Sequence, residues 1–245
     1  MTEANEQFPP TGHPNLHPYS IKEPNEFTGR DFEQYKAFLF LQEEDNIQSV
    51  EDIERAGFRH FTPRIGENFD ITLEDVKSVF NGVDGFFHRG ARILDIGSGS
   101  GTAVVEMNRQ FSSREVKVIG LDMEYKRERP LNDNPDIFIA GSWANMPFPD
   151  NYFTGLLAVQ SFGRYDHSEK TIKEITRVSK QNAILRIDSI TKDIDTAKAL
   201  VDALDSKDKV DKSSTREEEF IHKMIENGWE LYFHPRLTVA KLIEK

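Results

Sequence analysis

The rhythm of hydrophobic and polar positions changes near residue 91. Upstream, Phe32, Tyr35, Phe38 and Leu39 recur at helical spacing and predict a helix over about 31–46. Thr72 opens a capping-box pattern, "TLED", ahead of Val76, Val79 and Phe80, which predicts a helix over about 73–81. From residue 91 short apolar runs take over: "RILDI", "VKVIGLD", "DIFIAG", "YFTGLLAVQ" and "NAILRID" read as five strands. Between them "GTAVVEMNRQF" and "EKTIKEITRVSK" read as helices, the second with Ile172, Ile175 and Val178 on its buried side. The charged run "TKDIDTAKALVDALDSKDKVDKSS" predicts a surface helix and a loose linker. Ser214 or Thr215 then caps "REEEFIHKMIEN", and Gly228 stops that helix. "WELYFHP" and "LTVAKLIEK" close the chain as two more strands. Strands separated by helices predict parallel βαβ units, hence an α/β, doubly wound sheet.

The N-terminal part has a different character. Residues 1–30 are rich in Pro, Asn, Glu and Thr and read as a flexible arm; 31–72 read as a helical lid or cap. His13 and His17 have the i, i+4 spacing of a metal-chelating helix, but Pro14 and Pro18 argue against a helix there. Tyr19, Phe27, Phe32 and Tyr35 are the aromatic candidates for a lid, with ordinary packing the favoured role for those at helical spacing.

Composition narrows the ligand more than the fold. A net charge of -11 over 245 residues disfavours a phosphate-neutralising surface, so no nucleic-acid partner is expected, and a cationic or neutral small molecule suits the chain better. There are no cysteines, so disulfides and thiolate metal sites are excluded, and no metal site is expected. The start "MTEANEQFPP" lacks the basic and apolar regions of a signal peptide, and no apolar run approaches membrane-spanning length. A cytoplasmic protein with no membrane partner is the expectation.

Chemistry concentrates in "ARILDIGSGSGTAVVEM". Glycine at 97, 99 and 101 permits positive φ and close backbone approach, and the turn lies between a predicted strand and a predicted helix, as a nucleotide-binding turn requires. Its spacing is G-x-G-x-G, not the dinucleotide G-x-G-x-x-G, and no G-K-[ST] follows, which excludes a P-loop. Asp95, two residues before the first glycine, would repel a pyrophosphate and attract an ammonium group. Asp122, at the end of the second strand, can accept the hydroxyls of a ribose. A purely structural turn and an ordinary solvated Asp122 are the bland alternatives. Together the two carboxylates fit an adenosine carrying a cationic amino-acid tail, and they disfavour a nicotinamide-dependent oxidoreductase.

"ILDIGSGSG", "VIGLD", "GSWANMPFPDNYFTGLLAVQSF" and "KEITRVSKQNAILRI", in that order and spacing, resemble the class I S-adenosylmethionine-dependent methyltransferases. Within that class the small-molecule type, with its "GDAxxLPFPDxSFD" and "xEixRVLKPGG" patterns, is most similar. The resemblance covers about residues 75–245 in outline and is specific over 91–187, and the methyltransferase domain is placed at 73–245. It implies a Rossmann-like seven-stranded sheet of order 3-2-1-4-5-7-6 with an antiparallel last strand, and S-adenosyl-L-methionine as cofactor. It further implies that Asp95 and Gly97 lie along the cofactor's methionine part and that Ser98, Gly99 and Gly101 form the loop. Asp122 would hold the ribose, Met123 would pack on the adenine, and Gln160 would border the methionine end and the acceptor. Ser142 and Trp143 stand where the class has Asp-Ala at the adenine edge; Thr154 replaces an Asp, and "QNA" replaces "PGG".

A sulfonium methyl is already electrophilic, so such a protein chiefly aligns a nucleophile and excludes water. Where the nucleophile carries a proton, His167 is the candidate general base on its intrinsic pKa, beside Phe162 and Tyr165 as candidate walls of the acceptor pocket. Asp166 or Ser168 could equally cap the next helix. The expected function is methyl transfer to a small-molecule acceptor by in-line displacement. The alternative is a catalytically silent relative that uses the same fold as a binding or interaction module, and the Ser142-Trp143 departure is its support.

Overall fold

The structure, a computed structural model, describes residues 32–41, 44, 46–61, 73–123, 135–159, 161, 168–188, 216–234 and 236–243. The expected arm over 1–30, the Thr72 cap, the charged segment after Asp188 and the cap at Ser214 or Thr215 lie outside the described residues.

The apolar runs form strands because alternate side chains of each can be buried on opposite faces of one sheet. Strand β1 is Arg59–Phe61, β2 Arg92–Ile96, β3 Lys117–Asp122, β4 Phe138–Ala140, β5 Phe153–Ala158, β6 Ser179–Asp188, β7 Trp229–Phe233 and β8 Leu237–Leu242. They make one sheet of order β1-β7-β8-β6-β5-β2-β3-β4. Strands β4, β3, β2, β5 and β6 are parallel neighbours, and β8 inserts antiparallel between β6 and β7. With β1 set aside this is the expected 3-2-1-4-5-7-6 order. The eighth strand comes from the segment read as a helical cap: β1 pairs antiparallel with β7, His60 opposite Tyr232.

Helices cover both faces. Helix α1 is Phe32–Leu39, α2 Val50–Arg55, α3 Leu73–Val79, α4 Gly82–Phe86, α5 Thr102–Gln110, α6 Glu169–Val178 and α7 Arg216–Glu226. On one face Leu94, Ile96 and Leu121 pack with Ile172 and Ile175 of α6 and Phe220 of α7. On the other, Ile93 and Val118 pack with residues of α1, α3, α4 and α5, such as Leu39, Val76, Phe86 and Val104. Burying each such side chain contributes about 1.5–3 kcal/mol, so the two apolar layers carry the fold.

Three details depart from the pattern read above. Helix α1 stops at Leu39, and Phe38 is 36% exposed while Phe32, Tyr35 and Leu39 are buried. Helix α2 was hidden in the acidic stretch, although Ser49 caps it by accepting from the Asp52 N–H at 3.2 Å. Helix α6 is capped by Ser168, not Asp166: the Ser168 hydroxyl accepts from the Thr171 N–H at 3.2 Å. The two motif departures at Thr154 and "QNA" fall on packing and turn positions. The Thr154 hydroxyl accepts from the Arg92 N–H and donates to the Arg92 carbonyl, joining β5 to β2. Asn182, at φ 64, takes the left-handed conformation that Asn tolerates, where the β5–β6 register slips.

The N-terminal elements are bolted to the sheet by a buried ion pair. Arg186 of β6 and Glu44 are both fully buried, with N–O distances of 3.0 and 2.9 Å between guanidinium and carboxylate. Arg186 also donates to the carbonyls of Leu39 and Val79, and its guanidinium lies 4.2 Å from the centre of the Phe40 ring.

Candidate functional site

Parallel strands place the ends that carry β2 and β3 into their loops on one edge, where a doubly wound sheet holds ligands. There β2 ends at Ile96 and the chain turns through Gly97 to Gly101 into α5. Gly97, Gly99 and Gly101 have φ of 75, 55 and 80°. Gly97 is forced by its neighbour: a Cβ there would stand 2.4 Å from Cβ of Ser161, just beyond β5. Gly99 is different. It is exposed, and a Cβ there would meet nothing within 4 Å, so the apex of the turn opens outward.

Two carboxylates flank that turn. The Asp122 side chain reaches across from the end of β3 and accepts the Gly99 N–H at 2.8 Å. Asp95, the fourth residue of β2, is fully buried on the face that α1 covers, and Tyr35 of α1 donates its hydroxyl to it at 3.2 Å. Burial pushes the Asp95 carboxyl up to about 7; the Tyr35 hydroxyl acts against that rise, and the nearby Asp122 charge adds to it. Helix α1 is also tied to α5, where the Phe32 N–H donates to Glu106 at 2.6 Å. Ser98 and Ser161, both buried within the turn region, have hydroxyls without a partner among the described residues.

Met123, following Asp122, is 54% exposed beside the turn, an apolar surface on offer at the sheet edge. The loop after β4 carries Ser142 and Trp143. Ser142 is exposed and accepts the Ala144 N–H at 3.2 Å. Trp143 turns its indole inward, into the core that includes Leu94, Ile96 and Leu121, and its Nε1–H has no partner among the described residues. The loop is fixed from below by α6. Arg177 donates to the carbonyls of Phe148 and Met146 and to Asp150, while Glu174 accepts the Met146 N–H at 2.7 Å. The Arg177 guanidinium beside Glu174, with help from the Met146 N–H, holds that carboxyl below its ordinary range. Glu174 and Arg177 are the Glu and Arg of the "xEixRV" pattern, so that pattern anchors the loop after β4.

The structure therefore brings Asp95, Gly97, Ser98, Gly99, Gly101, Asp122 and Met123 to one end of the sheet, with Ser142 and Trp143 in the neighbouring loop after β4. Gln160, Phe162, Tyr165 and His167 lie outside the described residues. The Tyr35–Asp95 contact was missed by sequence reasoning, which placed Tyr35 among lid aromatics; nothing local to either residue announces a pairing across 60 positions. Among the described residues no group of three or more His, Cys, Asp or Glu side chains could hold a metal ion, and no helix is long and apolar enough to cross a membrane. A crevice lined by Asn81, His88, Lys180 and Asn182 lies at the opposite end of the strands, away from this turn.

The observed sheet order is the Rossmann-like one of the class I methyltransferase fold. Residues 94–187 match the methyltransferase domain family. Comparison with curated proteins gives no match. Among solved structures, the chain is similar to a protein proposed to be a sarcosine dimethylglycine methyltransferase from Galdieria sulphuraria, at 20% identity over 60% of this chain and 57% of that one, TM-score 0.43. It is also similar to an S-adenosylmethionine-dependent methyltransferase from Aquifex aeolicus, at 19% identity over 64% and 85%, TM-score 0.43. A third, from Methanosarcina mazei, shares 16% identity over 63% and 93%, TM-score 0.44.

Proposed function

We propose that the protein binds S-adenosyl-L-methionine at the glycine turn and transfers its methyl group to a small-molecule acceptor. The observation that carries this is the open apex at Gly99, set between the carboxylates of Asp95 and Asp122. Two acids and exposed backbone suit hydroxyls and an ammonium, and they repel phosphate. The buried hydroxyls of Ser98 and Ser161, without a partner among the described residues, are further polar groups that a ligand's tail could satisfy.

In this reading residues 73–245 form the catalytic domain, 31–72 cover its ligand edge, and 1–30 are an arm. Asp122 accepts the ribose hydroxyls while keeping the turn in shape through Gly99. Met123 supplies a flexible apolar surface for one adenine face. Ser142 offers a hydroxyl to the adenine edge in place of the usual carboxylate, with Trp143 behind it. Gly97, Ser98 and Gly101 shape the turn along the methionine part, Asp95 attracts its positive charge, and Gln160 borders the methyl end. The cofactor supplies an electrophilic sulfonium methyl when bound. Phe162 and Tyr165 wall the acceptor and exclude water, and His167 takes the acceptor's proton where it carries one.

Calorimetry at neutral pH tests the reading. S-Adenosylmethionine and its demethylated product are expected to bind at submillimolar concentration, and NAD is not. The inward-turned indole of Trp143 and the covered Asp95 favour a second reading, a silent relative that serves as a binding module. Absence of binding by either adenosyl compound would support that alternative and end the enzymatic one.

A further inference from the structure

Asp95 is the one fully buried carboxylate at the ligand edge among the described residues, and the side chain that bonds to it comes from outside residues 94–187. Tyr35 sits on α1, is 5% exposed, and spans both carboxylate oxygens at 3.2 and 3.5 Å. A phenol donating to a carboxyl favours its ionised form, and without that bond burial alone would favour the neutral acid. The charge that a cationic ligand would feel at the turn is therefore set by a residue 60 positions upstream.

We propose that Tyr35 is a positioning residue of the cofactor site: by donating to Asp95 it favours the carboxylate over the neutral acid, and so couples docking of α1 to uptake of a cationic nucleoside. This rests on the reading that the turn binds S-adenosylmethionine. The groups facing Asp95 support the assignment. From β3 comes Asp122, whose charge opposes ionisation. From β5 the register partner is the apolar Leu157, and on the other side of β2 it is Gly120. From α5 the acid at the α1 contact, Glu106, is engaged by the Phe32 N–H. No cation among the described residues bonds to Asp95, so the phenol is its stabilising partner. An arriving ammonium would find a carboxylate that needs to shed at most a fraction of a proton.

The coupling predicts a pH profile. With the free-protein carboxyl at about 7 and the bound one ionised, affinity for S-adenosylhomocysteine rises about tenfold between pH 6 and pH 8. In Tyr35→Phe the ring packing stays and the donor is lost, so the inflection moves up by about one pH unit. Calorimetric titration of both proteins with S-adenosylhomocysteine across pH 5.5–9 reads this directly. Carbon-13 NMR of the Asp95 carboxyl in the ligand-free proteins reads the same shift without any ligand. Thermal unfolding confirms that the variant is folded. Identical inflections and carboxyl titrations in the two folded proteins would overturn the assignment of Tyr35. No binding by the wild type at any pH would instead overturn the cofactor reading, while the NMR arm would still decide whether Tyr35 sets the charge of Asp95.

Discussion

Gly97 and Gly99 stand two residues apart in one turn and would answer an added methyl group in different ways. At Gly97 the methyl has no room against Ser161. At Gly99 it projects into open space, at a φ of 55° that costs a non-glycine residue about 1–2 kcal/mol. Gly99→Ala is therefore expected to fold with a modest drop in unfolding midpoint yet lose S-adenosylhomocysteine affinity at least about tenfold, since one methyl in the approach path is enough to displace a close contact. Calorimetry beside thermal unfolding checks both halves. Asp122 has two partners in the same chemistry, the Gly99 N–H and the proposed ribose. Asp122→Ala is expected to weaken the adenosyl ligand by about 1–3 kcal/mol, the scale of hydrogen bonds to a charged group; unchanged affinity would remove the ribose assignment.

Among the elements, those whose apolar residues repeat within a short window were legible in the chain. Strand β2, "RILDI", runs as expected from Arg92 to Ile96, and Ile172, Ile175 and Val178 are the buried face of α6. Strand β1 was not legible. Arg59, His60 and Phe61 have no alternation of their own, and they become a strand only because β7 offers an edge. Helix α4 contains Gly82 and Gly85, whose poor helical propensity masks it. The glycine turn was legible because a backbone requirement is written in residue type; the Tyr35–Asp95 contact was not, because a tertiary hydrogen bond leaves no local pattern. The same holds for the Arg186–Glu44 pair that fastens the N-terminal elements to β6. Arg186→Met is expected to cost about 3–5 kcal/mol in urea unfolding, because Glu44 is then buried without its cation. Adding Glu44→Leu to that variant is expected to recover most of the loss, since an apolar pair needs no desolvation.

Over the whole molecule, the covered carboxylate at the ligand edge makes stability depend on pH. Burial holds the folded Asp95 carboxyl at about 7, against an ordinary value of 3.8. Between those values the folded protein holds a proton that the unfolded chain has released, so stability falls as pH rises through that window and levels off above about 7. At 1.36 kcal/mol per unit the loss is roughly 4 kcal/mol. Asp95→Asn, which carries no charge at any of these pH values, is expected to be more stable than the wild type at pH 8 by about that amount and to show little advantage at pH 4. Denaturant unfolding at the two pH values measures it, and equal stability at pH 8 would mean that the carboxylate is not buried in the folded state.

The edge made by β1 and β7 has a consequence for the order in which the chain can assemble. His60 bonds to Glu230 at 2.6 Å across 170 positions, so during synthesis that early segment waits while all five parallel strands emerge. Until β7 arrives, β1 has no neighbour to zip onto and its backbone groups stay with solvent; non-local pairings of this kind are slow to form. Late closure of this flank would leave the sheet transiently unfinished on its β8 side, the interval in which a chaperone or a second nascent chain would find an unsealed border.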